Sequence, residues 1–92
     1  MIFWEADALN DRENLYKFLY DFNPLVAEKA DELLVSRIEL LFEYPELGVN
    51  RLGLPGRLLI IPDISLVVSY IIRDDHLFIL RVLHQKQNRP NL

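Results

Sequence analysis

Residues 57–89 read RLLIIPDISLVVSYIIRDDHLFILRVLHQKQNR, and this stretch decides the fold. It contains three runs rich in leucine and β-branched side chains, over 57–61, 66–72 and 77–83, and such runs favour strands. Pro62-Asp63 and Asp74-Asp75 stand between the runs and are typical of tight turns. Connections this short place neighbouring strands side by side in opposite directions. This part of the chain therefore predicts three antiparallel strands.

The residues before this stretch predict one strand and two helices. Residues 2–5 are apolar and aromatic, which favours a first strand. Asp7 suits the N-cap of a helix over about residues 8–20. Asn23-Pro24 combines a capping residue with a proline at the first position of a second helix, which must end before Pro45. Two helices joined so closely form an antiparallel hairpin.

Residues 48–56 separate the helices from the three strands. They hold all three glycines of the chain together with Pro55, which predicts a connecting loop that carries Asn50 and Arg51. The predicted element order is therefore β-α-α-β-β-β. It indicates an α+β fold in which a helical hairpin packs on one face of a small antiparallel sheet, with residues 1–92 forming a single domain.

Composition limits what such a domain can do. About half of the 92 residues are apolar, which is enough for one core. The chain has no cysteine and two histidines, so we expect no disulfide, no metal site and no cofactor. The longest apolar stretch is broken by Pro62-Asp63, and residues 1–5 lack the basic start of a signal peptide. A soluble cytoplasmic protein without membrane contact is predicted.

The net charge of −4 is unevenly distributed. Residues 1–47 carry eleven acidic and four basic side chains, a charge of −7, whereas residues 48–92 carry three acidic and six basic ones, a charge of +3. Four cationic candidates fall within nine positions at the end of the last strand. Any anionic or acidic partner is therefore expected to contact this half of the chain. The four candidates are Arg81, His84, Lys86 and Arg89.

Alternation along the last strand predicts where its side chains point. Phe78, Leu80 and Val82 share one face, and because that face is uniformly apolar we expect it to meet the helices. Arg81 is then on the open face of the sheet. His84 points away from Arg81, so the two can converge on one phosphate only if the strand bulges or ends near Leu83.

Five short segments follow one another along the chain: Asn23-Pro24, Tyr44-Pro45-Glu46-Leu47-Gly48, Pro55-Gly56-Arg57, Val68-Ser69-Tyr70 and Ile79-Leu80-Arg81-Val82-Leu83-His84. In this order they resemble the toxins of the ParE/RelE superfamily, and the ParE branch most closely. The resemblance covers nearly the whole chain. It implies a growth-inhibiting toxin of a type II toxin-antitoxin system, of the kind associated with plasmid stabilization. It also implies a cognate antitoxin protein that wraps the toxin and silences it, with operator DNA contacted only through that antitoxin.

The resemblance implies one of two activities. ParE-like toxins poison DNA gyrase without chemistry of their own, whereas RelE-like toxins cut mRNA in the ribosome, where a 2′-hydroxyl attacks its own phosphodiester. For cleavage, Arg57 and Arg81 would clamp the phosphate and His84 would act as general acid or base. For binding, the same resemblance points to a wider set of contacts with the target or the antitoxin. These are Arg51, Arg57, Arg81, His84, Lys86 and Arg89.

Several observations favour the gyrase-type activity. The loop offers Arg51 alone where RelE-like enzymes carry several basic residues, and residues 85–92 contain no aromatic side chain. The acidic total is also unusual for a toxin that cuts RNA, and it leaves open a third alternative, a non-toxic scaffold that binds the antitoxin. Purely structural roles compete with these functions: Arg57 and Arg81 could pair with helix carboxylates, and His84 could be a hydrogen-bonded structural residue.

Overall fold

The computed structural model describes residues 1–51 and 53–85, and its helices and main strands follow the predicted order. Strand β1 (Ile2–Trp4) leads into helices α1 (Ala6–Phe22) and α2 (Pro24–Glu43). Short 3-10 turns occupy Pro45–Leu47 and Pro62–Ile64. The α+β class and the helical hairpin are confirmed. The remaining strands are β2 (Val49–Asn50), β3 (Arg57–Ile61), β4 (Leu66–Arg73) and β5 (His76–His84).

The junction between the helices is fixed by the Asn23-Pro24 pair. The Asn23 side chain accepts a hydrogen bond from the Leu25 backbone N–H at 3.0 Å, as an N-cap residue does. Asp7, predicted as the cap of α1, instead lies within its first turn, where a carboxylate is favoured by the positive end of the helix dipole. Neither of the described helices is long and apolar enough to span a bilayer.

One stripe of α2 supplies most of the helical share of the core. Its members recur at helical spacing and are at most 4% exposed. Leu34, Ile38 and Leu41 of this stripe share the core with the buried face of the sheet, where Ile61, Val68 and Ile79 are fully enclosed. Each fully buried leucine, isoleucine or valine contributes roughly 1.5–3 kcal/mol by leaving water. The stripe consists of Ala27, Ala30, Leu34, Ile38 and Leu41.

The sheet is mixed rather than antiparallel throughout. Its strand order is β1-β5-β4-β3-β2, and β1 runs parallel to β5 with Ile2 opposite Leu77. All other neighbours are antiparallel, and for β3, β4 and β5 this pairing was predicted. Parallel pairing is possible here because the long connection through both helices and the other strands lets β1 and β5 point the same way. The two-residue β2, which the sequence does not predict, extends the sheet beyond β3.

An irregularity in β5 reverses the faces that simple alternation predicts. Ser69 is opposite Arg81 and Tyr70 is opposite Ile79, so Leu80 is an extra residue between two regular stretches. An extra residue shifts all later side chains to the other face. The prediction that Phe78 and Leu80 face the helices is therefore wrong, because Leu77 and Ile79 fill the core before the bulge and Val82 fills it afterwards.

Candidate functional site

Arg57 stands at the start of β3 beside a buried tyrosine. Its Nη1 donates to the Gly48 carbonyl at 2.8 Å, and its backbone pairs with Tyr70. The Tyr70 hydroxyl accepts the Gly48 N–H at 2.9 Å and donates to the Pro45 carbonyl at 2.7 Å. Burial raises the pKa of Tyr70, while the Gly48 hydrogen bond and the Arg57 charge lower it in part. Arg57 is thus bound into a network that closes the loop after α2 onto the sheet.

Three of the segments on which the resemblance rests meet in this network. Gly48 ends the segment 44–48, Arg57 ends the segment 55–57 and Tyr70 ends the segment 68–70. A methyl group at position 48 would lie 2.5 Å from the Tyr70 hydroxyl, which is closer than atoms can approach. Sequence reasoning singled out these segments but did not identify Tyr70 as the residue that joins them.

Arg81 alternates with the core residue Val82 along β5, yet its side chain is paired with helix α1 and does not stand alone on the open face of the sheet. Its Nε donates to Asp11 Oδ2 at 2.7 Å and its Nη2 donates to Asp11 Oδ1 at 3.1 Å. The same Oδ2 accepts the Val82 backbone N–H at 2.9 Å. The hydrogen bond to Asp11 raises the pKa of Arg81 further above its already high value. This ion pair is the structural role that the sequence left open for Arg81, a contact with a helix carboxylate.

His84 lies at the end of β5, opposite Leu66. Its ring is 6.1 Å from the ring of Phe18 on α1, in a tilted arrangement. The side chain is half-buried. It therefore has a packed environment on the helix side of the sheet.

The three groups considered for RNA cleavage have separate partners in the described structure. Arg57 contacts Gly48, Arg81 contacts Asp11 and His84 packs near Phe18. Two phosphate clamps and a proton-transfer group must meet at one phosphodiester to cut it. These contacts hold the three groups on separate partners instead.

Of the other predicted contact residues, the structure describes Arg51. Arg51 is half-buried in the loop after β2, where its carbonyl accepts the Leu54 N–H at 3.0 Å. Lys86 and Arg89 lie outside the described residues. Across the ranges 1–51 and 53–85, no group of three or more His, Cys, Asp or Glu side chains is arranged to hold a metal ion.

Two surfaces emerge that the sequence did not identify. The first is a hollow of about 320 Å³ at the start of β3, which includes Arg57 and Arg73. The second is a wider groove of about 580 Å³ between β1 and the end of α2. Apolar residues line this groove, and Glu39 and Glu43 stand among them. Its apolar members are Met1, Ile2, Leu40 and Phe42.

A comparison with family models identifies the type of chain. Residues 2–89 match the family model described as the ParE toxin of the type II toxin-antitoxin system, parDE. The chain is similar to a structure described as the chromosomal ParDE TA system from P. aeruginosa, with 22% identity, a TM-score of 0.77, and 90% of this chain and 92% of that chain covered.

A second solved structure is more distant. The intact RelBE toxin-antitoxin complex from E. coli gives 18% identity and a TM-score of 0.61, with 95% of this chain and 98% of that chain covered. At these identities the two structures show the shared fold. Curated protein sequences give no match.

Proposed function

Because this chain belongs to the ParE toxin family of type II toxin-antitoxin systems, we propose that it arrests bacterial growth by binding and poisoning DNA gyrase in the cytoplasm. A cognate antitoxin neutralises it. The separation of Arg57, Arg81 and His84 onto different partners is the observation that supports binding over RNA cleavage. A toxin that acts by binding needs a surface and not a proton-transfer site.

The proposed contact surface is the basic half of the chain. Arg81 uses Nε and Nη2 for Asp11, so its third nitrogen is left for a partner, and the side chain is 36% exposed. Arg51 and Arg57 stand near the other end of the sheet. Together with His84, Lys86 and Arg89 they form the set of residues that we assign to the target or the antitoxin.

The antitoxin is proposed to cover apolar surface that the domain leaves in water. Phe22 is 83% exposed and Leu25 is 60% exposed at the tip of the helical hairpin, and Phe42 is 54% exposed beside the groove on α2. Phe22 and Leu25 are together at the tip, and Phe42 is about 25 Å away near the other end of α2, so they mark two interaction surfaces. A helix or strand laid across them would remove this area from water. Without the antitoxin, the chain should bind a hydrophobic dye and self-associate at high concentration.

Expression of the chain alone, with and without its antitoxin, tests the toxin function. Growth arrest that the antitoxin relieves is expected. With purified chain, inhibited gyrase supercoiling together with trapped cleaved DNA supports the proposed target. Codon-phased cuts in translated mRNA would instead assign the RelE-like activity, for which the RelBE fold likeness is the supporting observation. Normal growth with soluble protein present would favour the third alternative, a non-toxic scaffold that binds the antitoxin.

A further inference from the structure

The hollow at the start of β3 contains an unpaired strand edge. Strand β3 begins at Arg57, opposite Tyr70, so the last three residues of β4 have no β3 residue beside them. On their other side they are paired with β5 from Phe78 to His76. Ile72 and Arg73 are exposed there. Unpaired backbone N–H and C=O groups along a strand are a template for an added strand.

The same hollow is cationic in an acidic protein. Arg57 and Arg73 line it, and no aspartate or glutamate is among its lining residues. Within the described ranges, neither arginine forms an ion pair. Arg57 uses Nη1 for the Gly48 carbonyl, and Arg73 lies 6.0 Å from the centre of the Phe78 ring. By register Arg57 shares the face of the buried Tyr70, whereas Arg73 shares the opposite face with Phe78. The Arg73 guanidinium is therefore the group left for an anion beside residues 71–73, and a planar carboxylate suits it.

Apolar side chains complete the lining. Pro55, Ile71 and Ile72 stand beside the arginines. Asp74 and Asp75 follow Arg73 directly in the turn, and they repel a polyanion such as a nucleic acid strand. The combination favours an extended peptide that presents apolar groups and one carboxylate.

We propose that this hollow binds an extended segment of a protein partner, which adds a short strand to β4 along residues 71–73 and sets a carboxylate against Arg73. The carboxylate can come from an acidic side chain or from the end of a chain. The peptide site does not depend on the proposed toxin function. Only the identification of the partner with the antitoxin rests on it, so the two can fail separately.

Nuclear magnetic resonance titration of the nitrogen-15-labelled chain tests this site. The first probe is the blocked peptide acetyl-Thr-Val-Glu-Val-Thr-amide, and the second replaces its glutamate by glutamine. A third lacks the glutamate but has a free terminal carboxylate. Amide shifts confined to residues near 56–57 and 71–73 are expected with the first or third probe, and at least about tenfold weaker binding with the second.

Two variants of equal charge change provide the control. Arg73→Glu should weaken binding of the glutamate peptide at least about tenfold, since a repelling carboxylate replaces its cationic partner. Lys29→Glu, on the exposed surface of α2, should leave the affinity unchanged. Equal affinities in the two variants, shifts elsewhere, or no shifts at millimolar peptide would overturn the site.

A backbone-modified probe tests strand addition separately. The same glutamate peptide with N-methyl groups at alternate residues keeps its charge but cannot donate along a strand edge. We expect it to bind more weakly than the parent. Equal binding would overturn strand addition, and preferential binding of an oligothymidylate at residues 71–73 would overturn the choice of a peptide.

Discussion

Arg81 of β5 and Asp11 of α1 are 70 residues apart in the chain and form a two-point ion pair, in which the same carboxylate also accepts the Val82 N–H. The Asp11 side chain is only 14% exposed. Strand β1 ends at Trp4, so it no longer flanks β5 beyond Ile79, and Asp11 accepts the backbone N–H there in place of a neighbouring strand. Arg81, which the sequence analysis assigned to contact with a partner, thus also attaches helix α1 to the sheet.

Replacing Asp11 should therefore destabilise the fold more than replacing Arg81. Asp11→Asn weakens three hydrogen bonds at once, and we expect the free energy of unfolding to fall by about 1–3 kcal/mol. Arg81→Gln should cost less, because the Val82 N–H keeps its acceptor. Urea unfolding of the two single variants and the double variant measures the coupling.

The exposed pair of Arg37 and Asp63, at 3.5 Å, is the matched control. Asp63→Asn should change the free energy of unfolding by about 0–1 kcal/mol. If Asp11→Asn cost no more than Asp63→Asn, the Asp11 contacts would contribute little to the fold.

His84→Ala should leave growth arrest largely intact if the toxin acts by binding. A general acid or base contributes about 10² to 10⁴ in rate, so an RNA-cutting toxin would lose its effect. Deletion of residues 86–92, which removes Lys86 and Arg89, should weaken arrest by reducing the basic surface. Arrest is scored by colony counts after induction at matched soluble protein levels.

Phe18→Leu is the control for the packing of His84, because it removes the neighbouring ring and keeps the histidine. Each variant must also bind the antitoxin, which shows that it is folded. Loss of arrest in folded His84→Ala, together with full arrest after deletion of the tail, would place the chain with the RNA-cutting toxins.

Gly48→Ala should destabilise the domain by about 1–3 kcal/mol, the usual cost of forcing atoms into a packed site. The added methyl would lie 2.5 Å from the Tyr70 hydroxyl and 2.9 Å from the Leu58 carbonyl oxygen, and that oxygen belongs to the backbone and cannot easily move aside. Gly53→Ala is the comparison. Position 53 has φ of +72° but open space, so only the left-handed backbone penalty of about 1–2 kcal/mol applies. If thermal unfolding showed a larger loss of stability for Gly53→Ala than for Gly48→Ala, this would contradict the close packing around Tyr70.

Tyr70 should make the stability sensitive to alkaline pH. Burial raises its pKa above the value of about 10 that applies in the unfolded chain. The folded state therefore holds the proton to higher pH. The stabilisation that the protonated Tyr70 hydroxyl provides is complete below about pH 10. It is lost as the pH rises through the pKa of Tyr70 in the folded state.

Comparing wild type with Tyr70→Phe isolates this effect. Near pH 8 the variant should be less stable by about 1–3 kcal/mol, because the buried Gly48 N–H loses its acceptor. The gap should narrow above about pH 10. Tyr16, whose pKa is also raised, is present in both proteins and cancels. A gap that stays constant to about pH 11 would show that the folded state does not retain the Tyr70 proton.

The parts of the fold that the sequence predicted depend on local signals. Asn23-Pro24 both caps and starts α2, and the paired turn residues separate the last strands, so these elements needed no tertiary information. The parallel pairing of β1 depends on contacts with residues near the other end of the chain. Strand β2 exists because Gly48 is held by Tyr70 and Arg57, and a glycine-containing loop gives no pattern for it.

The error about the first half of β5 has a specific physical cause. Residues 77–80 read LFIL, and four consecutive apolar side chains give no indication of which residue is extra in the strand. Alternation therefore assigned the wrong face to Phe78 and Leu80, whereas the pairing of Arg81 with a helix carboxylate was among the alternatives. Arg73 was not considered, because its position in the hollow depends on where β3 begins.

The pairing of β1 with β5 also sets the order of events during translation. Ile2 leaves the ribosome early, yet its partner Leu77 is added 75 residues later. At about 5–20 residues per second this takes roughly 4–15 seconds. Until then the apolar face of the helical hairpin has no finished sheet to pack on. A chain that ends before β5 would be unable to complete the fold, so only messages translated through β5 should yield active protein.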